Sequence, residues 1–90
     1  AVCGDSTISD WWVQDCSAAT ENLLIAAGAL GLGAVWLGIH GHPEREMAAR
    51  EVLGIPDHIG VLSLVSIGHP AVEAEPRTQY DPARVHGEKW

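Results

Sequence analysis

Leu23-Leu24-Ile25-Ala26-Ala27-Gly28-Ala29-Leu30-Gly31-Leu32-Gly33-Ala34-Val35-Trp36-Leu37-Gly38-Ile39 is apolar from end to end, and its reading decides the fold. The uncharged run around it extends from Asn22 to Pro43. A bilayer span needs ~20 apolar residues, so length alone admits one. Three features argue against it. Gly28, Gly31, Gly33 and Gly38 weaken the run, His40 and His42 close it early, and neither immediate flank carries a Lys or Arg anchor. The run divides better at Gly31-Leu32-Gly33, into a buried helix followed by a buried strand. Gly31 or Gly33 supplies the helix stop, because glycine enters the left-handed region at little cost.

Working upstream, Ala18 to Leu30 reads as helix, with Asp15 as an N-cap whose carboxylate can accept from orphan amides. Ala19, Leu23, Ala26, Ala27 and Leu30 share one face at helical spacing. Leu24 and Ile25 lie off that face and are also apolar, so this helix needs cover on more than one side. Asp5 to Ser9 is turn-like, and Ala1 to Gly4 is the end of a strand.

Downstream, Ala34 to Ile39 is short, β-branched and aromatic, which predicts a strand. His42-Pro43 opens a second helix, with Pro at the first helical position and Glu44 and Glu46 near the positive end of its dipole. Ala48, Ala49, Val52 and Leu53 form its expected inner face, Glu46 and Arg50 have i,i+4 spacing, and Gly54 and Pro56 end it. Ile59 to Ile67 is nearly continuous apolar sequence, as in a central strand buried on both faces. Beyond Gly68-His69-Pro70 the composition turns polar and loses all period, yet Tyr80, Val85 and Trp90 punctuate it. The expected architecture is therefore β–α–β–α–β with a partial sheet, residues 1–70, followed by an extended arm, residues 71–90.

Ninety residues with a formal net charge of -7 make one small domain. A chain this short buries only ~60% of the surface its unfolded form exposes, so its core is marginal unless a partner covers it. The five Lys and Arg residues all lie at or after Arg45 and cannot build the positive surface that nucleic acid requires. Cys3 and Cys16 are too few for a disulfide scaffold and read as free thiols of a reducing, cytoplasmic compartment. No basic n-region or apolar h-region marks a secretory signal.

Few residues point to chemistry. The Gly28–Gly33 cluster closes a helix and leads into a strand, the reverse of a dinucleotide-binding fingerprint. His40, His42, His58 and His69 lack metal-ligand spacing, and Ser17, Ser63 and Ser66 lack the flanking glycines of a nucleophile elbow. Arg77, in Glu75-Pro76-Arg77-Thr78-Gln79, has the fork of donors that suits a phosphate, but a solvated Arg beside Glu73 and Glu75 reads equally well. Pattern and spacing alone give an acidic half-domain with an arm, and no reaction.

Trp11-Trp12-Val13-Gln14-Asp15-Cys16-Ser17-Ala18-Ala19-Thr20-Glu21-Asn22-Leu23-Leu24, followed by Leu30-Gly31-Leu32-Gly33-Ala34-Val35-Trp36, resembles the nitroreductase family. The likeness continues through Gly54-Ile55-Pro56, Val65-Ser66-Ile67-Gly68-His69-Pro70 and Tyr80-Asp81-Pro82-Ala83-Arg84-Val85-His86. It spans nearly the whole chain and matches the C-terminal half of a family member. The resemblance implies an α+β chain of the α/β-type nitroreductase fold. It also implies FMN as cofactor, NAD(P)H as hydride donor, and a nitro, quinone or similar electron acceptor. By that likeness, backbone in Trp36, Leu37, Gly38 and Ile39 approaches the flavin ring, and Arg77 holds its phosphate. Gln79 stands where a second Arg is usual, which weakens that grip by one charge. The resemblance further implies a homodimer in which the arm, residues 71–90, embraces the partner. It requires no side chain acting as a general base, and neither a metal nor a membrane is expected. A remnant or dimerisation module that keeps the fold without flavin is the alternative.

Overall fold

Residues 1–75 and 78–90, those the computed structural model describes, hold three strands and two α-helices in alternation. These are β1 (Val2–Asp5), α1 (Trp12–Ala29), β2 (Gly33–Gly38), α2 (Pro43–Leu53) and β3 (Ile59–Gly68), with a 3-10 turn at Pro82–Arg84. The strands form one antiparallel sheet in the order β1-β3-β2. The apolar run from Ile59 is thus the central strand, and β2 is an edge.

The division of the long apolar stretch follows the glycines. Gly31 has φ +72°, the Leu32 amide donates to the Ala27 carbonyl at 2.9 Å, and the Gly31 amide donates to Gly28 at 3.1 Å. This pair of bonds is a Schellman stop, and it satisfies carbonyls that the end of α1 would otherwise leave open. Among the described residues no helix is long and apolar enough to cross a membrane.

The start of α1 departs from expectation. The helix begins at Trp12, and Asp15 sits in its first turn rather than at the N-cap. Trp11 occupies the N-cap with no side-chain cap bond, and Ser9 Oγ, two residues upstream, accepts from the Trp11 amide at 3.1 Å. Tertiary packing overrides the poor helix propensity of the adjacent tryptophans. Gly4 and Gly60 face each other across β1 and β3, and the Trp12 indole lies in the slot they leave. The Trp12 ring also meets His40 edge-on, with centroids 5.0 Å apart, tying α1 to the end of β2.

The helix face towards the sheet is also different. Cys16, Thr20 and Ala27 are buried, whereas Leu23, Ile25 and Leu30 of the greasier side are exposed. Of the expected inward face only Ala27 is buried. The polar face wins because its partner on the sheet is polar. Thr20 Oγ1 donates to the Cys16 carbonyl at 2.8 Å and lies 3.0 Å from Ser63 Oγ, with both residues fully buried. Thr20→Val leaves the Ser63 hydroxyl buried and unpaired, which is expected to cost about 1–3 kcal/mol. Adding Ser63→Ala should recover most of that loss, as urea denaturation of the two variants will show.

A bulge sets the two faces of β3. Val2 pairs with Ser63 and Cys3 with Val61, so Leu62 is an extra residue opposite β1. The alternation is thereby reset: Gly60 and Ser63 face α1, while Val61 and Leu64 face α2. On the α2 side Ile39, Ala49 and Val61 form the core, with Cys3, Ile55 and Leu64 packed around it. Of the expected inner face of α2 only Ala49 is buried, since Val52 and Leu53 remain open. α2 packs its body on β3, touches β2 through the Arg45 side chain, and leaves a hollow of about 500 Å³ floored by Ile39 and Leu64. Burial on both faces of β3 holds for Gly60–Ser63 and fails beyond, where Ser66, Ile67 and Gly68 are exposed.

Pro43 starts α2 and Gly54, at φ +65°, ends it. The Glu46–Arg50 pair forms at 2.8 Å, and Arg50 also donates to the Pro56 carbonyl. The described part of the arm holds no strand, bends at Ala71–Val72 and Gly87–Glu88, and has a 3-10 turn that packs on no helix or strand.

Candidate functional site

The end of β2 combines an open edge with a cation. The Ile39 amide donates to the Leu62 carbonyl at 3.1 Å, continuing a register in which Gly38 pairs with Ser63. In an antiparallel ladder bonded and non-bonded residues alternate, so Ala34, Trp36 and Gly38 turn their backbone groups away from β3. No strand covers that side among the described residues. Gly38 therefore presents its amide and carbonyl outward, and the carbonyl is taken by Arg45 Nη1 at 3.0 Å.

Glycine at position 38 has no internal cause. Its φ is not positive, and a Cβ placed there would meet nothing within 4 Å. A glycine inside a strand costs about 0.5–1 kcal/mol relative to alanine. The cost is borne at a position where the backbone is bare and outward-facing.

The four ring-side residues expected from the sequence thus share one strand end but point differently. Trp36 is half-buried, Leu37 and Gly38 are exposed, and Ile39 is buried with its amide spent on Leu62. Gln79 lies in the exposed arm. The arm leaves the sheet at the other end of β2, where Gly31, Leu32, Gly33, Pro70, Val72 and Glu73 border one hollow. Five strand steps of ~3.3 Å separate Gly33 from Gly38, so the arm starts roughly 17 Å from the Gly38 end. Gln79 shares no hydrogen bond or hollow with Trp36–Ile39 among the described residues. Arg77 lies outside the described residues.

Sequence reasoning did not find Arg45. Its partner is a backbone carbonyl seven positions away, across a turn, and no side-chain pattern records such a bond.

Thiol chemistry has little support. Burial raises the Cys16 thiol above its ordinary pKa, and Cys3 and Asp15 add to the effect, so it stays protonated and unreactive near neutrality. Asp5 shifts the other way, held below the usual carboxylate value by the Thr7 hydroxyl and then the Thr7 amide. Both groups donate to Asp5 Oδ1, at 2.6 and 2.8 Å, and close the turn after β1.

The nitroreductase family pattern matches residues 4–69, which include both helices, β2, β3 and the end of β1. The chain belongs to the nitroreductase family. A relative from Archaeoglobus fulgidus, provisionally named an NADH dehydrogenase/NAD(P)H nitroreductase, is 52% identical over 99% of this chain and 55% of its own. A similarly named protein of Methanothermobacter thermautotrophicus is 45% identical, with 48% of its length covered. The chain thus spans about half the length of the curated relatives it matches. Among solved structures, an FMN-dependent nitroreductase of Clostridium difficile superposes with a TM-score of 0.89 at 25% identity, over 98% of this chain and 55% of that one. A Bacteroides thetaiotaomicron structure, provisionally named like the archaeal proteins, gives 0.93 at 38% identity, covering 98% and 52%. The nitroreductase likeness and the α+β architecture read from the sequence both stand.

Proposed function

We propose that this chain forms part of an FMN-dependent oxidoreductase and supplies the wall against which the flavin ring rests. The observation that carries this reading is Gly38: an outward glycine backbone, with no neighbour for a Cβ, on the open edge of β2. A flat ring can approach such a backbone closely, and the Gly38 amide offers a donor to its acceptor edge. When bound, FMN supplies the redox chemistry, taking hydride from NAD(P)H and delivering it to a nitro compound, quinone or similar acceptor. The name of the Clostridium relative supports FMN, and those of the archaeal relatives support NAD(P)H. The chain's own residues position and shield: Trp36–Ile39 hold the ring side, and Arg77 with Gln79 meets the phosphate.

One Arg is thin compensation for a phosphate of about two charges on a chain of net charge -7. The purified ninety residues are therefore expected to bind FMN saturably with a Kd above about 1 µM, equivalent to less than ~8 kcal/mol. Flavin fluorescence titration measures this. Absence of saturable binding contradicts the flavin reading, and submicromolar affinity contradicts the weak phosphate grip.

The same reading includes a homodimer. The accessible surface is 7259 Å², where a compact monomer of this mass exposes roughly 5,100 Å². Leu23 and Ile25 on α1, Leu30 at its C-cap, and Tyr80, Val85 and Trp90 on the arm contribute to the excess. A second copy, with residues 71–90 laid across it, is the occupant proposed for this surface. Sedimentation at high concentration should show self-association, and a clean monomer would count against it.

A further inference from the structure

We infer that Arg45 is a positioning residue that converts the Gly38 end of β2 into an all-donor edge. The inference rests on the flavin-wall reading above and names the side chain that prepares the wall. Among the described residues, Arg50 is paired with Glu46 and Arg84 with Asp81, whereas Arg45 donates to a carbonyl and to no carboxylate. Its guanidinium thus forms no ion pair among the described residues, although Glu44 and Glu46 flank it in the sequence.

The effect on the peptide is geometric first. The Gly38–Ile39 peptide is planar and trans, so its carbonyl and amide point in opposite directions. The carbonyl is held at 3.0 Å by Arg45, and the amide at 3.1 Å by Leu62. One peptide plane is thus pinned from both sides, at the last residue of the strand. The Leu62 carbonyl also accepts from His40 at 3.0 Å, which fixes the following residue to the same anchor.

The effect on recognition is electrostatic. Without Arg45 the open edge at Gly38 would offer one donor and one acceptor, which suits another strand as well as a ligand. With the acceptor taken and a cation beside it, the Gly38 position offers only donors, while the next outward carbonyl along the edge is that of Trp36. Such an edge matches N1, N5 and the carbonyl oxygens of an oxidised isoalloxazine, which are acceptors, and disfavours a strand that must also donate. Arg45 sits in the first turn of α2, directly after Pro43 and Glu44, so the rigid start of that helix delivers its guanidinium to Gly38.

The test compares wild type with Arg45→Ala, Arg45→Lys and, as a control for net charge, Arg84→Ala. In the absence of FMN, amide hydrogen exchange at Ile39 and His40 should speed up about fivefold in Arg45→Ala, as befits an exposed charged contact. Arg45→Lys should recover part of the protection, and Arg84→Ala should match wild type. In fluorescence titration, Arg45→Ala should weaken FMN binding about fivefold while Arg84→Ala leaves it within about twofold. Unchanged exchange and unchanged FMN affinity in Arg45→Ala would overturn the inference, as would an equal loss in Arg84→Ala. Wild type that binds no FMN refutes the flavin-wall reading instead, and the exchange arm then still decides whether Arg45 holds the Gly38 peptide.

Discussion

Gly60→Ala is expected to destabilise the chain by about 3 kcal/mol, at the upper end of what one added methyl group does in a packed site. A Cβ at Gly60 would stand 2.5 Å from Trp12 Cη2, 2.7 Å from Cζ2 and 2.8 Å from Cζ3. The indole cannot retreat cheaply, because it is seated over Gly4 as well as Gly60 and packs against the His40 ring. Gly4→Ala should cost less, about 1 kcal/mol, since its nearest atoms are at 3.0–3.2 Å and the Cys16 thiol can shift. For a domain of this size total stability is on the order of 5–13 kcal/mol, so the Gly60 change removes a large share. Urea denaturation measures the loss, and Trp12→Leu combined with Gly60→Ala should lose less than the two single losses added together. A Gly60→Ala variant that unfolds like wild type would show that Trp12 does not occupy the slot.

Gly38→Leu is expected to separate folding from binding. A Cβ at Gly38 would meet no atom within 4 Å, and its backbone lies outside the left-handed region. Removing a strand glycine should leave stability unchanged or raise it by about 0.5–1 kcal/mol. The same side chain would occupy the space proposed for the ring, and FMN affinity should fall at least about tenfold, or ~1.4 kcal/mol. Thermal melting and flavin titration on the same sample give the two readings. A loss of both together would make Gly38 a folding glycine after all.

The contrast between these glycines shows what the sequence could disclose. Gly31 was legible, because a glycine between a helical and an extended pattern has one economical use. Gly60 was not, because its reason is a tryptophan 48 positions earlier that sits on it only once β1, β3 and α1 have met. The inward face of α1 misled for a related reason. Apolar spacing selects Leu23 and Leu30, but the sheet beneath offers Ser63, and a Thr20–Ser63 hydrogen bond buried without residue is better satisfied than an apolar side chain above a hydroxyl. The leucines left outside mark a surface awaiting cover, which a single-chain pattern cannot distinguish from core. At the candidate site the family likeness singled out Trp36–Ile39. Arg45 and the open edge were invisible, since both are properties of backbone direction and strand order.

The central claim is that FMN lies against the Gly38 end of β2, and amide chemical-shift mapping tests it most directly. Adding FMN to the isotope-labelled chain should move the amide signals of Trp36, Leu37, Gly38 and Ile39 first and furthest, with Gly38 leading. Shifts confined to the exposed ridge of α1 or to the Gly33–Pro70 hollow, with those four signals unmoved, would contradict it.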